Sequence, residues 1–313
     1  MNSDRVIGCH TGKDRGPLLV ALGGMHGNEP AGVQALEQFF TLLDMEPSIN
    51  PEFSFCGRFL GLRGNLKALR RKRRFIEKDL NRQWTPENVA RIRRTPRQEL
   101  ANEDLELLEV LECIEEQIRD YQPAKMVLLD LHTTTATGGI FSIPTDDPES
   151  VRIAVELHAP VIKGLLRGIR GTSLHYFNTD NMGVRTVAVT FEAGQHDDEL
   201  SVNRALAAIT NCMRTIGCVQ AQHVENRHDE LLKEYSQNLP KIAELIMTHP
   251  IRPGDQFRML PNYHNFQYVD RGEVLAVDQH GKIKAPEEGC ILMPLYQEQG
   301  DDGFFLIRPL EFF

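Results

Sequence analysis

Short apolar runs alternate with longer stretches of helical period over the first two thirds of the chain. "PLLVALGG" (17–24) reads as a buried strand ended by glycines. "EPAGVQALEQFFTLL" (29–43) follows with Val33, Leu36, Phe40 and Leu43 at helical spacing. Pro30 stands where a first-turn proline is tolerated. "FSFCGRFLGL" (53–62) reads as a further strand, and 97–121 as a long amphipathic helix with Leu100, Leu107, Leu111, Ile114 and Ile118 on one face. "KMVLLDL" (125–131) is a buried strand running into His132. Residues 149–166 predict a helix, "RTVAVTFEAG" (185–194) a strand, and 199–216 a helix. Strands separated by helices predict an α/β fold, with a mixed central sheet flanked by helices on both faces.

From about residue 240 the pattern changes to short apolar runs punctuated by Gly, Pro and Asp, such as "GEVLAVD" and "GFFLIRPL". That spacing predicts a small all-β unit. The expected division is an α/β domain over 1–238 and a small β domain over 239–313.

Composition sets limits on function. With 313 residues, 41% of them hydrophobic and 25% charged, the chain can bury a sizeable core. No segment has the ~18 consecutive apolar residues that span a bilayer, and the start, "MNSDRVIGCHTGKDRG", lacks the apolar centre of a secretory signal. A soluble cytoplasmic protein without a membrane partner is expected. The six cysteines are dispersed, with no C-x-x-C pair, which fits free thiols in a reducing compartment. A net charge of −9 argues against a nucleic-acid partner. The exception, "KALRRKRR" (67–74), reads as a solvated basic loop or as a patch for RNA or an acidic partner. G-x-S-x-G, P-loop and G-x-G-x-x-G motifs are all absent from the sequence.

Three strand ends carry candidate chemistry. His26 and Glu29 lie in "GGMHGNEPAG" (23–32), at the carboxyl end of a buried strand, where ligands gather in open α/β sheets. Glycines at 23, 24 and 27 let the backbone turn tightly there. Taken alone, the pair fits either a metal site or an ordinary turn. His132 ends a second strand, and taken alone it fits a hydrogen-bonded strand-end histidine; with the first pair, two histidines, one carboxylate and a position left for water make the ligand set of a catalytic zinc site. Asp130, two residues before His132, shares its strand face and is suited to orient a histidine ligand. Glu192 ends a third strand among Val187, Val189, Phe191 and Ala193. It reads either as an exposed strand-end glutamate or as a buried one whose raised pKa suits a general base. A second H-x-x-E, His196–Glu199 in "GQHDDELSV", precedes a helical stretch and reads as part of an acidic N-terminal cap.

Together "GGMHGNEPAG", "RFIEKDLNRQW" (74–84), "DLHTTT" (130–135) and "FEAGQH" (191–196) resemble, in order, the motifs of the succinylglutamate desuccinylase and aspartoacylase family, within the zinc carboxypeptidase superfamily. "IKAPEEGCILMPLYQEQGDDGFFL" near the end resembles that family's small β domain. The resemblance implies one zinc ion per chain held by His26, Glu29 and His132, with Glu192 as general base and acid. It implies that Arg74 steadies the oxyanion and that Asn81 and Arg82 hold a substrate carboxylate. Arginine offers a carboxylate a planar fork, and asparagine adds a neutral donor beside it. Arg185 and Tyr296 are candidates for the remaining substrate contacts; the alternatives are a strand-start cation and part of the β-domain packing. Most of Arg70, Arg71, Lys72 and Arg73 is expected in solvent.

The implied function is hydrolysis of the amide bond of a small N-acyl amino acid. Zinc would lower the pKa of water and polarise the carbonyl, and Glu192 would shuttle a proton from that water to the departing amine. The small β domain is expected to overhang the cleft and limit substrate size. The alternatives are a metallocarboxypeptidase acting on a peptide and a non-catalytic zinc-binding module. The acyl group, the amino acid and the oligomeric state, a homo-oligomer included, are left open.

Overall fold

The computed structural model describes residues 4–220, 222 and 227–312. The chain begins with strands β1 (Val6–Thr11) and β2 (Asp14–Gly23), helix α1 (Ala31–Ile49) and strand β3 (Cys56–Arg63). Helices α2 (Leu66–Arg71), α3 (Pro86–Arg94) and α4 (Asn102–Tyr121) lead to β4 (Lys125–Thr134). Next come β5 (Phe141–Pro144), α5 (Pro148–Glu156), β6 (Val161–Lys163), the short helices α6 (Ser173–Tyr176) and α7 (Thr179–Met182), and β7 (Arg185–Gln195). Helices α8 (Leu200–Ile216) and α9 (Arg227–Tyr235) follow. The remainder is β8 (Pro240–Pro250), β9 (Arg258–Met259), β10 (Tyr268–Val269), β11 (Val274–Asp278), β12 (Gly281–Lys284), β13 (Gly289–Leu292) and β14 (Asp302–Phe312).

The fold is mixed α/β, as the alternation of elements predicts. Among the described residues, eleven strands form a central sheet in the order β1-β3-β2-β4-β7-β5-β6-β8-β14-β13-β10. Strands β3, β2, β4 and β7 are mutually parallel, and β5 runs antiparallel to β7. Strand β8 pairs in parallel with β6 and antiparallel with β14, so hydrogen bonding runs unbroken from the α/β part into the segment after 239. Strands β12, β11 and β9 form a separate antiparallel sheet.

Strand alternation divides the core into two layers. Leu19, Ala21, Val127, Leu129, Leu131, Val187, Val189 and Phe191 pack on one face with residues of α1, α5 and α8. Leu18, Val20, Leu22, Met126, Leu128 and Ala188 pack on the other, with Trp84 and the apolar stripe of α4. Asp130, His132, Thr190 and Glu192 continue the second face by parity. The apolar residues flanking Glu192 in sequence therefore line the opposite layer, and do not surround its carboxylate.

The helix expected over 149–166 breaks after α5. His158 adopts φ +55°, and Pro160 disfavours helical backbone in the residue before it. The chain then enters β6, which supplies the bridge between β5 and β8. Several other short elements were not predicted, β1 and α3 among them. Strand β1 is a partly buried edge strand, and α3 is a short helix capped by Thr85, whose side chain accepts from Asn88 N–H at 3.2 Å.

Candidate metal and catalytic centre

The turn after β2 requires its glycines at two points. Gly24 adopts φ +69°, and a Cβ on Gly27 would lie 2.0 Å from the backbone carbon of Ala68. Gly27 N–H donates to the Arg74 carbonyl at 3.2 Å, tying this turn to the loop before residue 82. The turn directs His26 and Glu29 inward, and both are almost wholly buried. His26 Nδ1 lies 2.8 Å from Glu29 Oε1, and His132 Nδ1 lies 3.1 Å from Glu29 Oε2. Ligand atoms of the three side chains lie within 4.8 Å of one another.

The other nitrogen of each imidazole faces a carboxylate. His26 Nε2 is 3.0 Å from Asp79 Oδ1, and His132 Nε2 is 3.1 Å from Asp130 Oδ2. Both carboxylates are held in place. Ser173 Oγ donates a very short hydrogen bond to Asp130. Asp79 accepts from Arg74 Nη2 at 2.9 Å, Arg74 Nε at 3.1 Å and Asn81 N–H at 2.8 Å. Burial alone would raise the carboxyl pKa of Asp79, but Arg74, then His26 and Arg82, hold it well below the usual range. Burial likewise opposes ionisation of Glu29, and the two imidazoles bring it well below. For His132, burial is outweighed by Asp130 and Glu29, which hold its pKa well above the usual value.

Two histidine nitrogens and a carboxylate converging on one point, each imidazole oriented from behind, form a donor set that fits a divalent metal such as zinc. His132 and Glu192 are direct partners in the β4–β7 ladder, and their side chains rise on the same face. Glu192 is buried, and Oε2 has no hydrogen-bond partner among the described residues. Burial, then the charges of Glu29 and Asp130, raises its pKa to about 8 against the opposing pull of His132 and Arg74.

The remaining predicted residues divide into two groups. Arg74, Asn81 and Arg82 line the same cleft as the histidines and Glu192. Arg82 Nη2 pairs with Asp302 at 2.5 Å, and Asn81 Oδ1 accepts from Ser173 N–H at 2.9 Å. Arg70, Arg71, Lys72 and Arg73 are exposed, as expected. Arg185 lies at the opposite end of β7 from Glu192, paired with Asp147 at 2.6 Å. Tyr296 is 41% exposed; its hydroxyl accepts from Tyr263 N–H at 2.8 Å and donates to the Leu260 carbonyl at 2.9 Å. Neither residue lines the cleft, although Leu295 and Gln297 beside Tyr296 do.

His196 corrects the cap reading. Asp198 accepts from Leu200 N–H at 2.9 Å and so acts at the start of α8, but His196 turns into the cleft. Its Nδ1 lies 2.7 Å from Thr133 Oγ1, and its Nε2 is buried without a partner among the described residues. Burial lowers its pKa. Asp79 is another residue that sequence reasoning passed over. The signal was its position before "LNR", where a short acidic side chain caps the turn at Leu80–Arg82.

Residues 15–216 match the sequence profile of the Succinylglutamate desuccinylase/Aspartoacylase catalytic domain. The chain belongs to the succinylglutamate desuccinylase/aspartoacylase family. The family is one of deacylases, and the matched span includes the carboxyl ends of β2, β4 and β7 and the loop that carries Arg74, Asn81 and Arg82. A curated relative, the succinylglutamate desuccinylase of Pseudomonas paraeruginosa, is 39% identical over 70 residues, which is 22% of this chain and 20% of that protein. The match thus spans about a fifth of the relative's length. Among solved structures, succinylglutamate desuccinylase from Vibrio cholerae superposes with a TM-score of 0.61 at 18% identity, over 94% of this chain and 82% of that one. A succinylglutamate desuccinylase/aspartoacylase from Rhodobacter sphaeroides gives 0.63 at 15% identity, over 95% and 86%. The ectoine utilization protein EutE (DoeB) of Ruegeria pomeroyi gives 0.61 at 15% identity, over 96% and 87%. At these identities the structural likeness concerns the fold. No helix among the described residues is long and apolar enough to cross a membrane.

Proposed function

We propose that the protein is a zinc-dependent amidohydrolase, with one metal ion per chain, that cleaves the amide bond of a small N-acyl amino acid. The observation that carries this reading is the meeting of the His26–Glu29–His132 donor set and the buried Glu192 carboxylate in one cleft. A metal held by His26, Glu29 and His132 supplies Lewis-acid polarisation and water of lowered pKa. Everything else falls to the chain's own side chains.

Glu192 accepts a proton from the attacking water and returns it to the departing nitrogen as the C–N bond breaks, leaving a carboxylate and an amine. A carboxyl group titrating near neutral pH suits both halves of that exchange. Arg74, fixed by Asp79 and 3.5 Å from Glu29 Oε1, stabilises the negative charge that develops on the carbonyl oxygen. Asn81 and Arg82 take the substrate carboxylate, and Ser173 holds Asn81 by its backbone N–H. His196, neutral and anchored on Thr133, adds a hydrogen-bonding nitrogen to the cleft wall.

The test is amine release from a panel of N-acyl amino acids by zinc-loaded protein, with and without a chelator. Release that the chelator abolishes and zinc restores is expected. No release from any member by protein with zinc bound overturns the reading.

A further inference from the structure

The cleft is lopsided in its chemistry. Its arginines among the described residues are Arg74 and Arg82, and both are already engaged, Arg74 by Asp79 and Arg82 by Asp302; the charge of a bound metal would be met by Glu29 and the reacting oxygens. Besides Glu29, which belongs to the metal's donor set, the carboxylates Asp301 and Asp302 line the same space. One substrate carboxylate can share Arg82 and Asn81 with Asp302. A second would enter a partly buried site with no further arginine or lysine among the described residues to meet it, and an unpaired buried charge is costly.

The opposite wall is apolar. Ile143, Leu165, Leu166, Ile169, Met293 and Phe305 come from four separate parts of the chain and line the cleft together. They are the open side of the core cluster built on β5, β6, β8 and β14. This wall begins beside the chemistry. In the β5–β7 pairing Phe141 opposes Glu192 and Ile143 opposes Thr190, so Ile143 stands two residues along its strand from the partner of Glu192. Substituents near the scissile bond therefore meet hydrocarbon.

From this charge balance and this wall we infer that the substrate is an N-acyl amino acid with a single carboxylate and an uncharged apolar group next to the amide, and that dicarboxylic and tricarboxylic N-acyl amino acids are poor substrates. The inference rests on the hydrolase reading above and narrows it. The apolar group sits either on the amino acid or on the acyl chain, and matched compounds separate the two: N-acetyl-leucine against N-acetyl-aspartate, and N-hexanoyl-glycine against N-succinyl-glycine.

The experiment compares kcat/KM for these four and N-succinyl-glutamate on the zinc-loaded full chain. It also measures binding of the same compounds to zinc-loaded Glu192→Gln by calorimetry. At least one apolar compound is expected to exceed its charged counterpart by at least ~100-fold in kcat/KM, from the ~10- to 200-fold that each buried methylene supplies and the rejection of an unmatched carboxylate. Tighter binding of that compound should persist in Glu192→Gln. Ile169→Arg, at a partly exposed wall position, should cut the preference at least ~10-fold by giving a second carboxylate a partner. Turnover of N-acetyl-aspartate or N-succinyl-glutamate at or above that of both apolar compounds overturns the inference while leaving the hydrolase reading intact. Silence from all five with zinc bound overturns both.

Discussion

His132 and Glu192 are paired across the parallel strands β4 and β7. The metal donor and the proposed proton carrier thus share one rung of a buried ladder. The distance between them is set by the interstrand spacing, not by a loop. Substituting Glu192→Gln should keep the fold and the metal, because the amide is nearly isosteric, and lower kcat by at least ~100-fold. Metal content by atomic emission, measured beside turnover, checks it. Near-normal turnover by a metal-replete variant would remove Glu192 from its role.

Asp79 and Asp130 stand behind the two imidazoles. Replacing either by alanine should weaken zinc affinity by ~10- to 100-fold, the usual cost of losing a ligand's supporting carboxylate. Competition with a chromophoric chelator gives the affinity directly. Asp79→Ala should do further damage by releasing Arg74 and the Asn81 N–H. Its kcat should therefore fall more than that of Asp130→Ala at saturating zinc.

Metal-free protein should lose stability as pH rises. Glu192 titrates at about 8 in the folded chain, against an ordinary 4.5, so the native state holds a proton that the unfolded state has released. This contribution is complete below the unfolded value and disappears as pH climbs through the folded one. His132, held well above its usual value, acts in the same direction. Urea unfolding in chelator should show wild type losing stability relative to Glu192→Gln between pH 5 and 8, on the order of a few kcal/mol. Parallel pH profiles for the two proteins would contradict the buried, protonated carboxyl.

Glu103 anchors the loop that carries Arg74 to Arg82. It is fully buried and accepts from Ile76 N–H at 2.7 Å, Glu77 N–H at 3.1 Å, Lys78 N–H at 3.3 Å and Asn65 Nδ2 at 3.1 Å. Glu103→Ala would strip several buried donors of their acceptor, at ~1–3 kcal/mol each when unsatisfied. A lower urea midpoint and a KM raised more than about tenfold are expected, with partial rescue of KM by Glu103→Gln. An unchanged KM would mean that Asn81 and Arg82 hold their positions without this anchor.

Much of this arrangement was legible in the order of residues. Apolar runs ending in His26, His132 and Glu192 identified three strands whose carboxyl ends meet, because a strand buried on both faces has a distinctive composition. The α/β fold and the sequence motifs that bring Arg74, Asn81 and Arg82 to the same cleft were legible in the same way. What escaped were features set by tertiary contact. His196 looked like part of a helix cap because its neighbours Asp197 and Asp198 suit one, and only the pairing of β7 with β4 turns it toward Thr133. Strand β6 was hidden in an apolar stretch that reads as helix until the break at His158 and Pro160. The partner of Arg82 is Asp302, 220 positions away, a separation over which local pattern carries no information.

Parity within β4 and β7 has a consequence for how this chain can change. Both strands are buried on both faces, so burial alone would tolerate a one-residue insertion or deletion in either. Such a shift would rotate every later side chain of that strand to the other face. His132 or Glu192 would then point into the layer beneath α1 and α8, with the sheet itself still paired. Length variation among descendants of this sequence should therefore accumulate in the connections between strands, and the strands should keep their count.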